Sequence, residues 1–197
     1  MSTIVLEEAR LRTFTTRKPA AIHAQRQYQG VRALLRADVR RNGGLAACLK
    51  STGFWAIFLY RFAHALRRRR LDFAGSVLQL FSQLVLSCKI SRKAVIGPGL
   101  RLLHPHGVFV GPYTRMGARI TIGPAAFIGA NRRSGQADDY PVLGDRVHVG
   151  PGAKVLGSLH VGDDVMIGPN AVVMHSVPER SRVIVPSPIV SRRTRIR

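Results

Sequence analysis

An aliphatic side chain recurs every sixth residue through the second half of the chain, and few folds accept that rhythm. The positions are Ile90, Ile96, Leu102 and Val108, then Val110, Met116, Ile122 and Ile128, then Leu143, Val149, Val155, Val161, Ile167 and Val173. Nine of these fourteen are followed by glycine, at Gly97, Gly111, Gly117, Gly123, Gly129, Gly144, Gly150, Gly162 and Gly168. A period of six matches neither the turn of a helix nor the alternation of a hairpin meander. It matches a short strand plus a corner, three of which make one turn of a parallel coil. The aliphatic residue then points inward onto its equivalents in rungs about 4.8 Å away. The glycine is expected to supply backbone angles at the corner that a side chain opposes. Such a coil needs caps at its ends. The general rule for parallel crossovers favours right-handed connections.

The rhythm breaks twice, both times inside the array. Leu103-His104-Pro105-His106-Gly107 shifts the register by two residues between Leu102 and Val110. The loop from Ala130 to Pro141, ANRRSGQADDYP, separates Ile128 from Leu143 by fifteen residues, where two hexads would take twelve. Interruptions of a rigid scaffold display residues rather than pack them, so both breaks are candidates for function.

Composition changes near residue 90. Residues 1–89 carry 16 basic and 4 acidic side chains together with Trp55, whereas residues 90–197 hold most of the glycines and prolines. Three segments are expected: a basic α-helical region (1–89), the coil (90–190) and a basic tail, SRRTRIR (191–197). Within the first, residues 31–41 have helical spacing ended by Asn42-Gly43-Gly44, a Gly-rich stop. Residues 53–66, closed by Arg67 to Arg70, and residues 73–88 also read as helices. Neither has the roughly 18 to 20 uninterrupted apolar residues that span a bilayer. Arg61 and His64 interrupt one; Ser76, Gln79, Ser82 and Gln83 dot the other. Two destinations stay open for their apolar faces: packing on each other or between subunits, or in-plane attachment with the arginine run on an anionic membrane surface.

The formal net charge is +21, and 26 arginines outnumber five lysines. Arginine holds phosphate and carboxylate through a planar fork, so anionic partners are expected. No nucleic-acid reading motif or aromatic stacking pattern accompanies the charge, and nucleic acid is not expected among them. Cys48 and Cys88 show no metal-ligand spacing, so no metal is expected and both thiols read as small buried apolar groups. The start, MSTIVLEEARLR, has no apolar core of signal-peptide length, and Glu7 and Glu8 weaken a transit-peptide reading. The expected location is the cytoplasm, peripheral at the inner membrane face where in-plane attachment holds.

The motifs GLRLLHPHGVFVG (99–111), PVLGDRVHVGPGAKVLGSLHVG (141–162) and VPERSRVIVPSPIV (177–190) follow one another around the two breaks. Over roughly residues 31–190 the chain resembles the serine acetyltransferase branch of the hexapeptide-repeat acyltransferases. The resemblance implies a mainly β fold, a left-handed parallel β-helix preceded by an α-helical region. It also implies homotrimers, paired into hexamers in relatives, with sites between neighbouring coils and acetyl-CoA as co-substrate. His104 matches the family's catalytic base, and imidazole suits the task because it titrates near neutral pH. His106 reads as its orienting neighbour. An oxyanion needs donors, and Gly-rich corners offer backbone N–H groups. Gly129, Ala130, Gly152 and Ala153 are therefore expected to line the CoA channel, with Lys154 and the terminal arginines near its phosphates.

The departures point to the acceptor. The family carries Asp before the base, where this chain has Leu103. Its Arg-His-Pro run after the long loop corresponds to Asp139-Tyr140-Pro141, and its DIHP-like run, with the carboxylate that pairs with the base, corresponds to Lys89-Ile90-Ser91-Arg92. Serine is a zwitterion whose clamp needs an acid and a base. With those groups erased or reversed, the expected acceptor is a hydroxyl of a saccharide or other small molecule, with Asp139 and Tyr140 in its site. Serine O-acetylation for cysteine synthesis is the second reading, and a noncatalytic trimeric scaffold the third.

Overall fold

The computed structural model describes residues 30–131 and 136–186. The expectations for the first twelve residues, for residues 187–190 of the coil and for the 191–197 tail with its arginines fall outside them.

The first helix, α1 (Val31–Arg41), stops where the Asn-Gly-Gly run predicts. Gly43 and Gly44 take φ of 91° and 87°, in the region glycine tolerates best. A short helix α2 (Leu45–Leu49) escaped the sequence reading because five residues are too few to show a period. In α3 (Thr52–Arg68) the Ser51 hydroxyl caps the start by accepting from the Phe54 N–H at 3.3 Å. The last helix, α4 (Asp72–Leu86), ends two residues before the expected boundary, since Ser87 turns left-handed at φ 49° and delivers Cys88 into the coil. Cys48 and Cys88 are both buried and unpaired.

The coil follows in five turns. The first comprises β1 (Lys89–Ile90), β2 (Val95–Ile96) and β3 (Arg101–Leu102); the second β4 (Phe109–Val110), β5 (Arg115–Met116) and β6 (Thr121–Ile122). The third holds β7 (Phe127–Gly129), β8 (Val142–Leu143) and β9 (His148–Val149); the fourth β10 (Lys154–Leu156), β11 (His160–Val161) and β12 (Met166–Ile167); the last β13 (Val172–Val173) and β14 (Arg182–Val183). They stack as three parallel sheets, the faces of a triangular prism: face A is β1-β4-β7-β10-β13, face B is β2-β5-β8-β11, and face C is β3-β6-β9-β12-β14. Register aligns the hexads, with Ile90 beside Val110, Ile96 beside Met116 and Leu102 beside Ile122. All fourteen aliphatic positions are buried.

Two details of the coil differ from expectation. None of the nine glycines after the aliphatic residues has a positive φ; Tyr113, Arg119, Arg146 and Asn170 take the left-handed corner conformation instead. Seven of them are needed because successive turns approach too closely for a side chain, whereas Gly111 faces the Tyr140 ring and Gly129 the Phe127 ring. A Cβ on Gly123 would lie 2.6 Å from the Pro151 nitrogen, and one on Gly97 would lie 2.5 Å from the Gly117 carbonyl oxygen. Gly123→Ala is therefore expected to cost about 1–3 kcal/mol, as overpacking does, and a lowered denaturation midpoint would register it. The second difference concerns the long loop. It spans the single corner from β7 to β8, so one six-residue step has gained nine residues, rather than two steps gaining three.

The helices cap the first turn through a buried ion pair. Arg61 in α3 is 2 % exposed and Asp38 in α1 is 0 % exposed. The Arg61 guanidinium donates to Asp38 at 2.9 Å and to the carbonyls of Ile96 and Gly97 at 2.6 Å each. Asp38 in turn accepts the Leu100 N–H at 2.8 Å. The arginine that makes α3 unfit to span a bilayer thus fastens it to the coil.

His64 in α3 lies beside this clamp, its Nδ1 2.9 Å from the Arg92 carbonyl oxygen. Burial holds its pKa below the ordinary 6.5; the Arg92 carbonyl pulls it upward, and Arg61 adds to the lowering. A depressed imidazole pKa means the fold prefers the neutral ring. Its contribution is complete above pH 6.5, where the unfolded chain is also neutral, and declines as pH falls through the folded-state value. Denaturation series between neutral and mildly acidic pH should show this loss in the wild type and a flatter profile in His64→Gln.

Candidate active site

The first break forms the corner between β3 and β4, on the edge joining face C to face A. Gly107, at φ 72°, donates its N–H to the Ser87 carbonyl at 2.8 Å, and the Val108 N–H closes on the Pro105 carbonyl at 3.1 Å. Pro105 is buried, while His104 and His106 on either side are exposed. The corner is thus pinned by its proline and glycine and offers both imidazoles to the outside. Backbone bonds continue the edge down the prism: Ala125 N–H to His106 O at 2.9 Å, Gly152 N–H to Pro124 O at 2.8 Å, and Asn170 N–H to Pro151 O at 2.8 Å. His104, His106, Gly152, Ala153 and Lys154 therefore share one edge.

The second group lies elsewhere. Gly129 ends β7 and Ala130 opens the long loop, on the edge joining face A to face B. The loop returns through a 3-10 turn (Ala137–Asp139) that leaves Asp139 and Tyr140 on that same edge. Tyr140 packs over Gly111, where a Cβ would come within 2.6 Å of the ring, and meets Tyr113 edge-on with centroids 5.6 Å apart. Asp139 is half-buried, and its Oδ2 has no hydrogen-bond partner among the described residues. The residues singled out by the sequence thus divide between the two edges that flank face A. A single prism does not bring His104 to Asp139 and Tyr140.

Face A itself carries an outward ladder that the sequence reading missed. Phe109 and Phe127 stack at 4.4 Å between centroids, 11° from parallel, and the Lys89 ammonium lies 5.7 Å from the Phe109 centroid. Outward hexad positions follow no pattern, so nothing in the period marked them. Lys89 also bonds through its N–H to the Val108 carbonyl at 2.9 Å, which sets this lysine beside the histidine corner where the resemblance expects a carboxylate.

The expected CoA-channel residues are unequal in what they can offer. Lys154 is exposed at the start of β10, but Ala153 is wholly buried in the core. The Gly152 N–H is engaged by Pro124 and the Ala153 N–H by Gly150 at 3.2 Å, so neither can meet an oxyanion. A cavity of about 910 Å³ between α1, α3 and residues Val95 to Pro98 includes none of the candidates. Among the described residues no three His, Cys, Asp or Glu side chains converge as a metal site would require.

A three-sided parallel prism of hexads is the fold expected of a hexapeptide-repeat acyltransferase, and the comparisons with known proteins agree. A family model described as Bacterial transferase hexapeptide (six repeats) matches residues 140–175. The serine acetyltransferase of Helicobacter pylori is 40% identical over 132 residues, 67% of this chain and 77% of that protein. That of Bacillus subtilis is 32% identical over 143 residues, 72% of this chain and 65% of its own length. Among solved structures, the soybean serine acetyltransferase apoenzyme superposes with a TM-score of 0.74 at 29% identity, covering 86% of this chain and 72% of that one. The serine acetyltransferase of Neisseria gonorrhoeae in complex with serine gives a TM-score of 0.73 at 25% identity, over 84% and 70%. The chain belongs to the serine acetyltransferase family and is an O-acetyltransferase. Its prism has the left-handed sense of these relatives, opposite to the general preference of parallel crossovers.

Proposed function

We propose that the chain transfers acetyl from acetyl-CoA to an alcohol, with His104 as general base. The imidazole takes the hydroxyl proton as the oxygen attacks the thioester carbonyl. Collapse of the tetrahedral intermediate then expels the CoA thiolate, which takes that proton back and leaves an ester and free CoA thiol. The observation that carries this reading is the exposed His104 on a pinned corner at the edge of face A. The division of candidates between two edges supports a trimer whose face A turns to the threefold axis, so that the His104 edge of one protomer meets the Tyr140 edge of the next. We place that assembly in the cytoplasm.

L-serine is the better supported acceptor, because the relatives carry that activity in their names; the saccharide hydroxyl expected from the sequence has less behind it. One observation keeps the saccharide as a second reading. Asp139, whose Oδ2 is buried without a partner among the described residues, stands where the resemblance expects an arginine, and a carboxylate there repels the carboxylate of an amino acid. Release of CoA thiol from acetyl-CoA, measured with L-serine, simple sugars and nucleotide sugars, decides between them. Fastest turnover with serine establishes the first reading. Turnover with a sugar and not with serine replaces it by the second, and silence across the panel together with undetectable acetyl-CoA binding favours the noncatalytic trimeric scaffold.

A further inference from the structure

Face C gathers cations around one hydroxyl. Its outward column runs through Arg101 of β3, Thr121 of β6 and His148 of β9, which pair in register on rungs about 4.8 Å apart. Arg41 ends α1 and reaches over this column, its guanidinium donating to the Thr121 hydroxyl at 2.7 Å and to the Gly99 carbonyl at 2.9 Å. Arg119, on the corner before β6, runs beside it: a Cβ on Gly99 would meet the Arg41 Cδ at 3.4 Å and the Arg119 Cγ at 3.5 Å. Burial, then Arg119 and Arg101, hold the Arg41 pKa below its ordinary value, with Asp38 pulling the other way. Burial, then Arg41, does the same to His148.

The carboxylates around this cluster are committed elsewhere. Asp38 is bound to Arg61, Asp145 accepts the Ala118 N–H at 2.7 Å, Asp163 accepts the Asp145 N–H at 2.7 Å, and Asp164 holds Arg146 at 2.6 Å. Among the described residues none forms an ion pair with Arg41, Arg101 or Arg119. Like charges held this close repel, and an anion seated among them relieves the repulsion. Arg41 spends two of its five N–H donors on Thr121 and Gly99. Its remaining donors, the exposed forks of Arg101 and Arg119 and the His148 ring suit the three terminal oxygens of a phosphate group better than the two of a carboxylate. Gly99 and Arg119 lie on the edge joining face B to face C, opposite face A. In the trimer proposed above, that edge points away from the threefold axis and stands across face C from the His104 corner. We infer that Arg41, Arg101, Arg119 and His148 form a phosphate-binding site around Thr121.

The test is a titration of the full chain with inorganic phosphate at constant ionic strength, with chloride as the control, read from the imidazole resonances in NMR. His148→Gln assigns the signal. Phosphate is expected to shift the His148 resonance saturably and to raise its pKa, because a bound dianion favours the protonated ring, whereas chloride should do neither. Arg101→Gln/Arg119→Gln should weaken phosphate binding by at least about tenfold, and Arg101→Lys/Arg119→Lys, which keeps the charge and loses the fork, should recover only part of it. Both arginines are exposed, so an unchanged thermal midpoint is expected and shows that the variants fold. Saturating acetyl-CoA distinguishes the sources of the phosphate. If it displaces phosphate from His148, the site takes a phosphate of CoA; if the two bind together, it takes that of a separate phosphorylated ligand. No saturable shift, an equal shift with chloride, or unchanged affinity in the glutamine variant overturns the inference. A His148 pKa already raised without phosphate and falling on dilution also overturns it, and assigns the cluster to a carboxylate of a second copy.

Discussion

His104→Ala is expected to lower turnover by roughly 10² to 10⁴, the usual worth of a general base, while acetyl-CoA binding is retained. The corresponding rise in the barrier is about 3–5 kcal/mol. The prediction is clean because the corner does not depend on the imidazole. Buried Pro105 and the Gly107–Ser87 bond hold the chain there, and the His104 side chain is exposed, so its removal should leave stability unchanged. His106 flanks the same corner, and an orienting neighbour costs less than a base, so His106→Ala should fall by no more than about tenfold. Where the resemblance expects a carboxylate to pair with His104, the chain has Lys89. Lys89 lies beside the corner with its ammonium turned over Phe109, and a cation neither accepts a hydrogen bond from imidazole nor stabilises its protonated form. Lys89→Asp tests this directly: turnover should rise if a missing carboxylate limits the base. The checks are CoA-thiol release at saturating acceptor and calorimetric titration with acetyl-CoA. An unchanged rate in His104→Ala would remove that residue from the mechanism.

The prism was legible because its cause is local and repeated. Thirteen of the fourteen aliphatic residues stack in register on the strands and report one constraint; Val108, just before β4, is buried without being a rung, because Val110 takes the place beside Ile90. The reason for the glycines was not legible. Whether Gly123 is required for its φ or for the 2.6 Å approach of Pro151 depends on the turn above it, which periodicity does not describe. His104 was readable as a side chain placed at a break, but its separation from Asp139 and Tyr140 was not, because which edge a break falls on emerges only once strands are assigned to faces. The nine-residue insertion shows the difficulty: fifteen residues are compatible with two hexads and a bulge, and only the pairing of Leu143 with Met116 and Val161 on face B decides the count. Phe109 and Phe127 lay at outward positions that any residue can fill. Arg61 interrupts an apolar helix in the sequence; its role as a clamp becomes visible only when Asp38, 23 residues earlier, is brought to it.

That clamp carries the second large effect. Asp38→Ala is expected to destabilise the fold by about 3–5 kcal/mol, since it strips a buried guanidinium of its counter-charge. The same change orphans the Leu100 N–H. Arg61 would keep only the carbonyls of Ile96 and Gly97, which cannot neutralise it. Replacing both partners, as in Asp38→Leu/Arg61→Met, removes the unpaired charge and should recover part of the loss. Recovery should stop short of wild type, because the Leu100 N–H and the two carbonyls lose their bonds and remain buried. Urea denaturation of the four proteins in a double-mutant cycle measures each step, and additive single effects would refute the coupling. The position of the clamp also links stability to chemistry. Leu100 lies four residues before His104, directly ahead of β3, the strand that leads into the corner where the proposed base sits. In Asp38→Ala the first turn should therefore loosen before the rest of the prism, and CoA-thiol release should fall at temperatures where the far-ultraviolet signal of the coil persists. Cooling should restore it, which separates a melted cap from the loss of the base itself.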